Sequence, residues 1–165
     1  MQISSTFDLM TPPSITGLAV PDFQAPATSG QVFHLLAQRG KNVVLYFYPK
    51  DNTPGCTVEG QAFGALHREF ANTNTTIYGV SRDNLKSHEG FKAKMAFPFE
   101  LISDQDEVVC KMFDVIKMKN MYGKQVRGIE RSTFLIDAGG RVAREWRGVK
   151  VAAHVEEVLE AAKAL

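Results

Sequence analysis

The run Tyr46-Phe47-Tyr48-Pro49-Lys50-Asp51-Asn52-Thr53-Pro54-Gly55-Cys56-Thr57-Val58-Glu59-Gly60 decides how this chain is read. Its first residues continue the stretch Val43-Val44-Leu45, and the whole of Val43 to Tyr48 is too continuously apolar for a half-exposed strand. It predicts a central strand covered on both faces. Pro49 has no N–H and a fixed φ, so it ends that strand and shapes a rigid pocket wall that shields a sulfur from solvent. Pro54 and Gly55 supply a turn and a small residue at a helix start. Cys56 then falls in the first turn, where free backbone N–H groups and the positive end of the helix dipole favour thiolate over thiol. Thr53 lies three residues earlier, where a hydroxyl can donate to the thiolate and accept from a protonated substrate oxygen. The stretch reads as a small anion-stabilising pocket around a nucleophilic sulfur, against the blander reading of a buried, inert thiol.

Outward from this run, Val20 to Leu36 reads as two short extended pieces around a Ser29-Gly30 turn, an edge hairpin. A helix is expected from about Gly55 to Phe70, with Val58, Ala62, Ala65, Leu66 and Phe70 as the stripe that packs on the sheet. Thr76 to Val80 is the next strand, and Asn84 to Met95 a helix with Asn84 as N-cap. Phe97 to Ile102 is extended around Pro98, and Asp106 to Phe113 is a short helix carrying Cys110. Ser132 to Asp137, a turn at Ala138-Gly139-Gly140, and Arg141 to Trp146 form a hairpin, and Ala152 to Ala164 a closing amphipathic helix. Strands alternating with helices in this way predict an α/β fold with a mixed central sheet flanked by helices and an N-terminal hairpin extension.

The 165 residues suit one domain with a sizeable core. Residues 1–17, with Pro12, Pro13 and Gly17, read as an irregular N-terminal arm, and 18–165 as the domain. A net charge of +1 without any run of lysine or arginine gives no reason to expect a nucleic-acid or membrane partner. Two cysteines outside C-x-x-C spacing argue against a disulfide scaffold and a structural zinc site. The start lacks a basic, long-apolar secretory signal, so the cytoplasm is the expected compartment. His34, His67, His88 and His154 share no ligand spacing and read as surface or helix-end residues. No metal or organic cofactor is called for. Met95, Phe97, Phe99 and Met121 read as core or pocket wall.

The pattern Pro49-x-x-x-Thr53-x-x-Cys56 resembles the active-site signature of the peroxiredoxins. The longer run YFYPKDNTPGCTVEG resembles the subgroup called bacterioferritin comigratory protein or peroxiredoxin Q. The blocks GVSRDNLKSHEGFKAKMAFPFELISD and NMYGKQVRGIERSTFLIDAGGRV follow in the same order as in that subgroup. The resemblance, which covers roughly Leu18 to the C-terminus, implies a thioredoxin-like fold and a catalytic set of Pro49, Thr53, Cys56 and Arg131. In it Arg131 sits beside the sulfur, where its fork of donors holds thiolate and peroxide oxygens. Glu59, one turn along the helix, either orients that arginine or is simply an acid favoured at a helix start.

The implied reaction is attack by the Cys56 thiolate on a peroxide, leaving a sulfenic acid that a second thiol must resolve. Here the chain departs from many relatives, which carry a resolving cysteine at the position of Gln61 or near Lys92. Cys110 is the remaining candidate within the chain, and its blander reading is a buried structural thiol. An external thiol, thioredoxin or glutathione with glutaredoxin, is therefore the expected reductant. The implied function is a thiol-dependent peroxidase acting on hydrogen peroxide and organic hydroperoxides in antioxidant defence. The alternative is a peroxide-sensing regulatory protein using the same cysteine. A thiol-disulfide oxidoreductase is disfavoured by the missing C-x-x-C. A monomer is the expected state, with a dimer through the N-terminal arm as the other option.

Overall fold

The computed structural model of the protein describes residues 14–165. Most of the predicted N-terminal arm lies outside them. Its last residues are pinned: Ser14 Oγ and the Ile15 and Thr16 N–H groups donate to Glu145 Oε1, and Gly17 N–H donates to Val142 O. The edge hairpin is β1 (Gln24–Pro26) and β2 (Val32–His34), paired antiparallel, with Ser29 and Gly30 both at positive φ in the turn.

β3 (Asn42–Phe47) is buried along its whole length, as its unbroken apolar run predicts. Two helices follow, α1 (Pro54–Ala65) and α2 (His67–Asn72), then β4 (Thr75–Ser81), α3 (Leu85–Met95), β5 (Glu100–Ser103) and α4 (Val108–Met112). A second hairpin is formed by β6 (Ile116–Met121) and β7 (Lys124–Ile129). The chain closes with β8 (Ser132–Ile136), β9 (Val142–Arg147) and α5 (His154–Lys163).

The central sheet has the order β5-β4-β3-β8-β9. β4 runs parallel to both β3 and β5, and β8 runs antiparallel to both β3 and β9. Successive β3 side chains alternate between the two faces. Val43, Leu45 and Phe47 enter one core with Phe113, Phe134 and Cys110, whereas Val44, Tyr46 and Tyr48 enter the other with Cys56, Phe63 and Phe70. The two cysteines therefore lie on opposite sides of the sheet.

Four expectations are corrected. The single helix to Phe70 is two helices, because Leu66 leaves helical geometry at φ −102° and ψ 10°. Its buried face is Cys56, Glu59, Gly60 and Phe63, while Val58 and Ala65 face solvent. Val58 lies two positions from Cys56, about 200° round the helix, so burying the sulfur turns the valine outward. Two histidines are buried: His88 lies inside α3 and is neither a surface nor a helix-end residue, whereas His154 is the helix-end residue expected, opening α5 but turned inward. Met121 is exposed, on a hairpin for which the sequence reading assigned no strands. Asn84 caps α3 as predicted, its side chain accepting from Ser87 N–H at 2.8 Å.

Candidate active site

The end of β3 and the start of α1 place the sulfur. Phe47 closes the strand, Tyr48 N–H adds one more bond to Val80 O, and half-buried Pro49 turns the chain away. Asn52 at φ +64° bends the loop back toward Thr53, the extended N-cap residue, with Pro54 at the first helical position. Cys56 is third in α1 and 1% exposed.

Arg131 reaches this sulfur from the strand edge just before β8. Its Nη2 donates to Cys56 Sγ at 3.4 Å, and its Nη1 donates to Glu59 Oε1 at 2.5 Å. One planar guanidinium thus bridges the thiol and a carboxylate a turn further along α1. Gly55 admits it: a Cβ there would stand 3.1 Å from Arg131 Nη2. Glu59 is completely buried, and its Oε2 has no hydrogen-bond partner among the described residues. Burial pushes the Glu59 carboxyl up to about 7, against the opposing pull of Arg131. Burial also opposes the Arg131 charge, but Glu59 and Cys56 outweigh it and raise its pKa.

Thr53 is beside the site with its hydroxyl otherwise engaged: Oγ1 donates to Lys50 O at 2.8 Å, which leaves its lone pairs to accept a proton from a bound ligand. Behind the sulfur stands an aromatic wall, with Tyr46 stacked between Tyr48 and Phe63 at centroid distances of 5.6 and 4.5 Å. The Tyr46 hydroxyl is buried without a partner among the described residues. Burial, followed by the Glu59 and Cys56 charges, raises its pKa well above the ordinary tyrosine range.

The sequence reading missed the residues that hold the loop. Asp51 Oδ1 accepts from Tyr48 Oη at 2.7 Å, and its Oδ2 pairs with Ser87 Oγ at 2.8 Å and His88 Nδ1 at 2.7 Å. His88 Nε2 meets Ile102 O at 2.9 Å. Burial works against the Asp51 charge, but the bonds from His88, Tyr48 and Ser87 win and hold its pKa below the ordinary value. With an acceptor at each ring nitrogen, the buried imidazole ties the Cys56 loop, α3 and β5 together. Asp51, Asp83 and His88 lie within metal-ligand reach of one another. Their facing atoms are already taken up by hydrogen bonds to protein groups, Asp83 Oδ2 with Asp51 N–H and Ser81 Oγ. The only signal in the sequence was an aspartate inside the loop motif; the spacing of His88 says nothing.

Cys110 is far from this chemistry in kind as well as place. Burial first, then the hydrogen bond and charge of Asp104, pushes its thiol well above the ordinary cysteine range. Its backbone N–H donates to Asp104 Oδ2 at 2.7 Å.

A thioredoxin-like sheet presenting a cysteine in the first turn of a helix, clasped by an arginine, defines a thiol-based redox enzyme without C-x-x-C. The sequence profile of the AhpC/TSA family matches residues 16–145. Peroxiredoxin Bcp from Xanthomonas campestris is 55% identical over 143 residues, covering 87% of this chain and 89% of the relative. Peroxiredoxin Bcp from Bacillus subtilis is 46% identical over 147 residues, with 89% and 94% covered. The solved structure of a cysteine-to-serine mutant of Xylella fastidiosa PrxQ superposes with a TM-score of 0.88 at 45% identity, covering 93% of this chain and 98% of that one. A Xanthomonas campestris bacterioferritin comigratory protein, solved for its alkyl peroxide reduction activity, gives 0.82 at 54% identity, with 86% and 90% covered. The chain belongs to the AhpC/TSA family, among its Bcp/PrxQ peroxiredoxins, and is a thiol-dependent peroxidase. Peroxide substrate and thiol reductant follow from that membership. Among the described residues no helix is long and apolar enough to cross a membrane.

Proposed function

We propose that Cys56 is the peroxidatic nucleophile, with Arg131, Thr53 and Pro49 completing the catalytic set, and that an external thiol resolves the oxidised sulfur. The observation that carries this is the guanidinium bridge, Nη2 on Cys56 Sγ and Nη1 on Glu59. The Cys56 thiolate attacks the terminal oxygen of ROOH. The O–O bond breaks, the sulfur takes the hydroxyl oxygen as a sulfenic acid, and RO⁻ leaves as ROH after gaining a proton. Arg131 stabilises the negative charge as it passes from sulfur to the leaving oxygen. Glu59 is a positioning residue: it fixes the plane of the guanidinium from inside the core.

A first external thiolate then attacks Cys56 Sγ, forming a mixed disulfide as the hydroxyl departs as water. A second thiol breaks that disulfide, regenerates Cys56 and leaves the reductant as its own disulfide. Cys110 is a structural thiol in this reading, since joining it to Cys56 would require a bond through the central sheet. Thioredoxin or glutathione with glutaredoxin supplies the electrons, and the aromatic wall behind Cys56 suits organic hydroperoxides as well as hydrogen peroxide. Residues 18–165 act as one domain, the protein works as a monomer, and the cytoplasm is its compartment.

The test is intact-mass spectrometry of reduced protein after one equivalent of hydrogen peroxide, with a sulfenic-acid trap and peptide mapping. The adduct is expected on Cys56, with no Cys56–Cys110 disulfide. Cys56→Ser should abolish turnover and Cys110→Ser should leave it intact; an active Cys56→Ser variant removes the reading. Oxidation that stops after one equivalent despite excess thioredoxin or glutathione would mark a sensor instead.

A further inference from the structure

Four of the eleven exposed large apolar side chains of the described residues, Met118, Met121, Tyr122 and Val126, fall on one hairpin, β6–β7. Tyr122 is 100% exposed at φ +54°, and Gly123 completes the two-residue turn at +79°. Turns of this geometry favour Asn or Gly, because a positive φ crowds a Cβ. A tyrosine there costs stability and covers nothing among the described residues, and strain of that kind points to a use.

The pleat sorts the hairpin. Lys119 stands opposite Val126 and Met121 opposite Lys124, so these four share one face. That face adjoins the site. The strand β7 runs directly into Glu130 and Arg131, and Lys119 donates to Ile129 O. Burial, then repulsion from Arg131, lowers the Lys119 pKa, with Glu130 first and Cys56 second pulling the other way. Residues 116–127 carry Lys117, Lys119, Lys124 and Arg127 and no acidic residue. Asp114 answers Lys117, and Glu107 is shared between Arg82 and Arg127. Beside Pro49 a depression is lined by Lys50 and Arg82 together with Asp83 and Glu107, so the charge there is balanced and the unopposed positive charge stays on the hairpin.

Because Cys110 lies across the sheet, a resolving thiol has to approach this rim from outside. We propose that the face of Lys119, Met121, Lys124 and Val126, with Tyr122 at the hairpin tip, is the docking surface for the reductant, a protein dithiol whose surface around its thiol is apolar and acidic. The inference rests on the external-thiol reading above. Opposite charge steers such a partner to the hairpin, and the aromatic at its tip anchors it. A two-fold contact between copies through the same face would set cationic hairpins against each other.

The experiment measures steady-state peroxide reduction by the full chain with an acidic thioredoxin and, separately, with dithiothreitol, for Tyr122→Asn, Lys124→Glu and the opposite-face control Gln125→Glu. Tyr122→Asn and Lys124→Glu should each raise the KM for thioredoxin about tenfold, the loss expected for an interface anchor. Dithiothreitol-supported turnover should stay at the parent rate. Tyr122→Asn should melt no lower than the parent, because Asn suits the turn, and Gln125→Glu should leave the KM within about twofold. An unchanged KM, an equal rise in the control, or a parent protein that turns over with dithiothreitol but not with thioredoxin would overturn the docking surface while leaving the peroxidase standing. No turnover with either reductant would overturn the peroxidase reading and the surface with it.

Discussion

Replacing Arg131 with Met removes the one charged partner, among the described residues, of a carboxyl that is otherwise sealed in the core. Glu59 is 0% exposed, with Oε1 on Arg131 and Oε2 unpaired. In the parent its pKa stands at about 7 because burial outweighs the attraction of Arg131, and without the arginine it must stand higher. The unfolded chain titrates near the ordinary glutamate value of about 4.3 in both proteins. A raised folded-state pKa gives stability that is fully present below the unfolded value and lost as pH rises through the folded one. In the parent that loss levels off above pH about 7, whereas in the variant it continues at about 1.4 kcal/mol per pH unit. At pH about 5.5 the carboxyl is neutral in both, and the variant loses only the hydrogen bonds and packing of the guanidinium, about 1–3 kcal/mol. At pH about 8.5 the variant should be weaker by roughly a further 2 kcal/mol, about 1.4 for each unit above 7. Urea unfolding under reducing conditions, followed through the single tryptophan, Trp146, reads both values. A stability difference that is the same at both pH values would refute the argument. Adding Glu59→Gln to the variant should abolish the pH dependence.

His154 supplies the opposite sign. Its pKa is lowered to about 4, by burial first and the Arg131 charge beside it, against the pull of Glu157. Its contribution to stability is therefore complete above pH about 6.5 and shrinks as the solution is acidified toward 4, by up to about 1.4 kcal/mol per unit. His154→Gln should flatten that part of the unfolding profile, and an unaltered slope would count against the neutral buried imidazole. Gly60→Ala is expected to cost about 1–3 kcal/mol in thermal or urea unfolding, because the new Cβ would overlap the ring of buried Phe97. The same substitution displaces the neighbouring Glu59, so the rate of peroxide attack by stopped flow should fall with it.

The short-range features of this protein are legible in its sequence because they depend on neighbours along the chain. The unbroken apolar run Val43 to Tyr48 has no polar face to expose, so β3 must be central. Pro49, Pro54 and Gly55 mark where the strand stops and the helix begins, and so put Cys56 at the helix start whatever the rest of the chain does. Thr53 is legible from its hydroxyl three residues before the sulfur, whereas Arg131 is named by the family resemblance alone. The motif spacing left Glu59 with two equal readings, because an acid at a helix start and an acid buried against an arginine look the same in one dimension.

Which side of a helix or sheet each residue meets depends instead on packing between segments distant in the chain. The face of α1 that packs inward is the one that buries Cys56, Glu59, Gly60 and Phe63, against the apolar count that favoured Val58 and Ala65. Asp51 and His88 stand 37 positions apart and meet because α3 packs beside the loop. The two cysteines, both buried and free, are separated by the alternation of β3 side chains into two cores. Local backbone chemistry therefore suffices to place a cysteine sulfur at a helix start in an α/β fold. The arginine bridge to Glu59, the buried tether of the loop and the separation of Cys110 from Cys56 arise from contacts between distant segments, which only the packed sheet brings together.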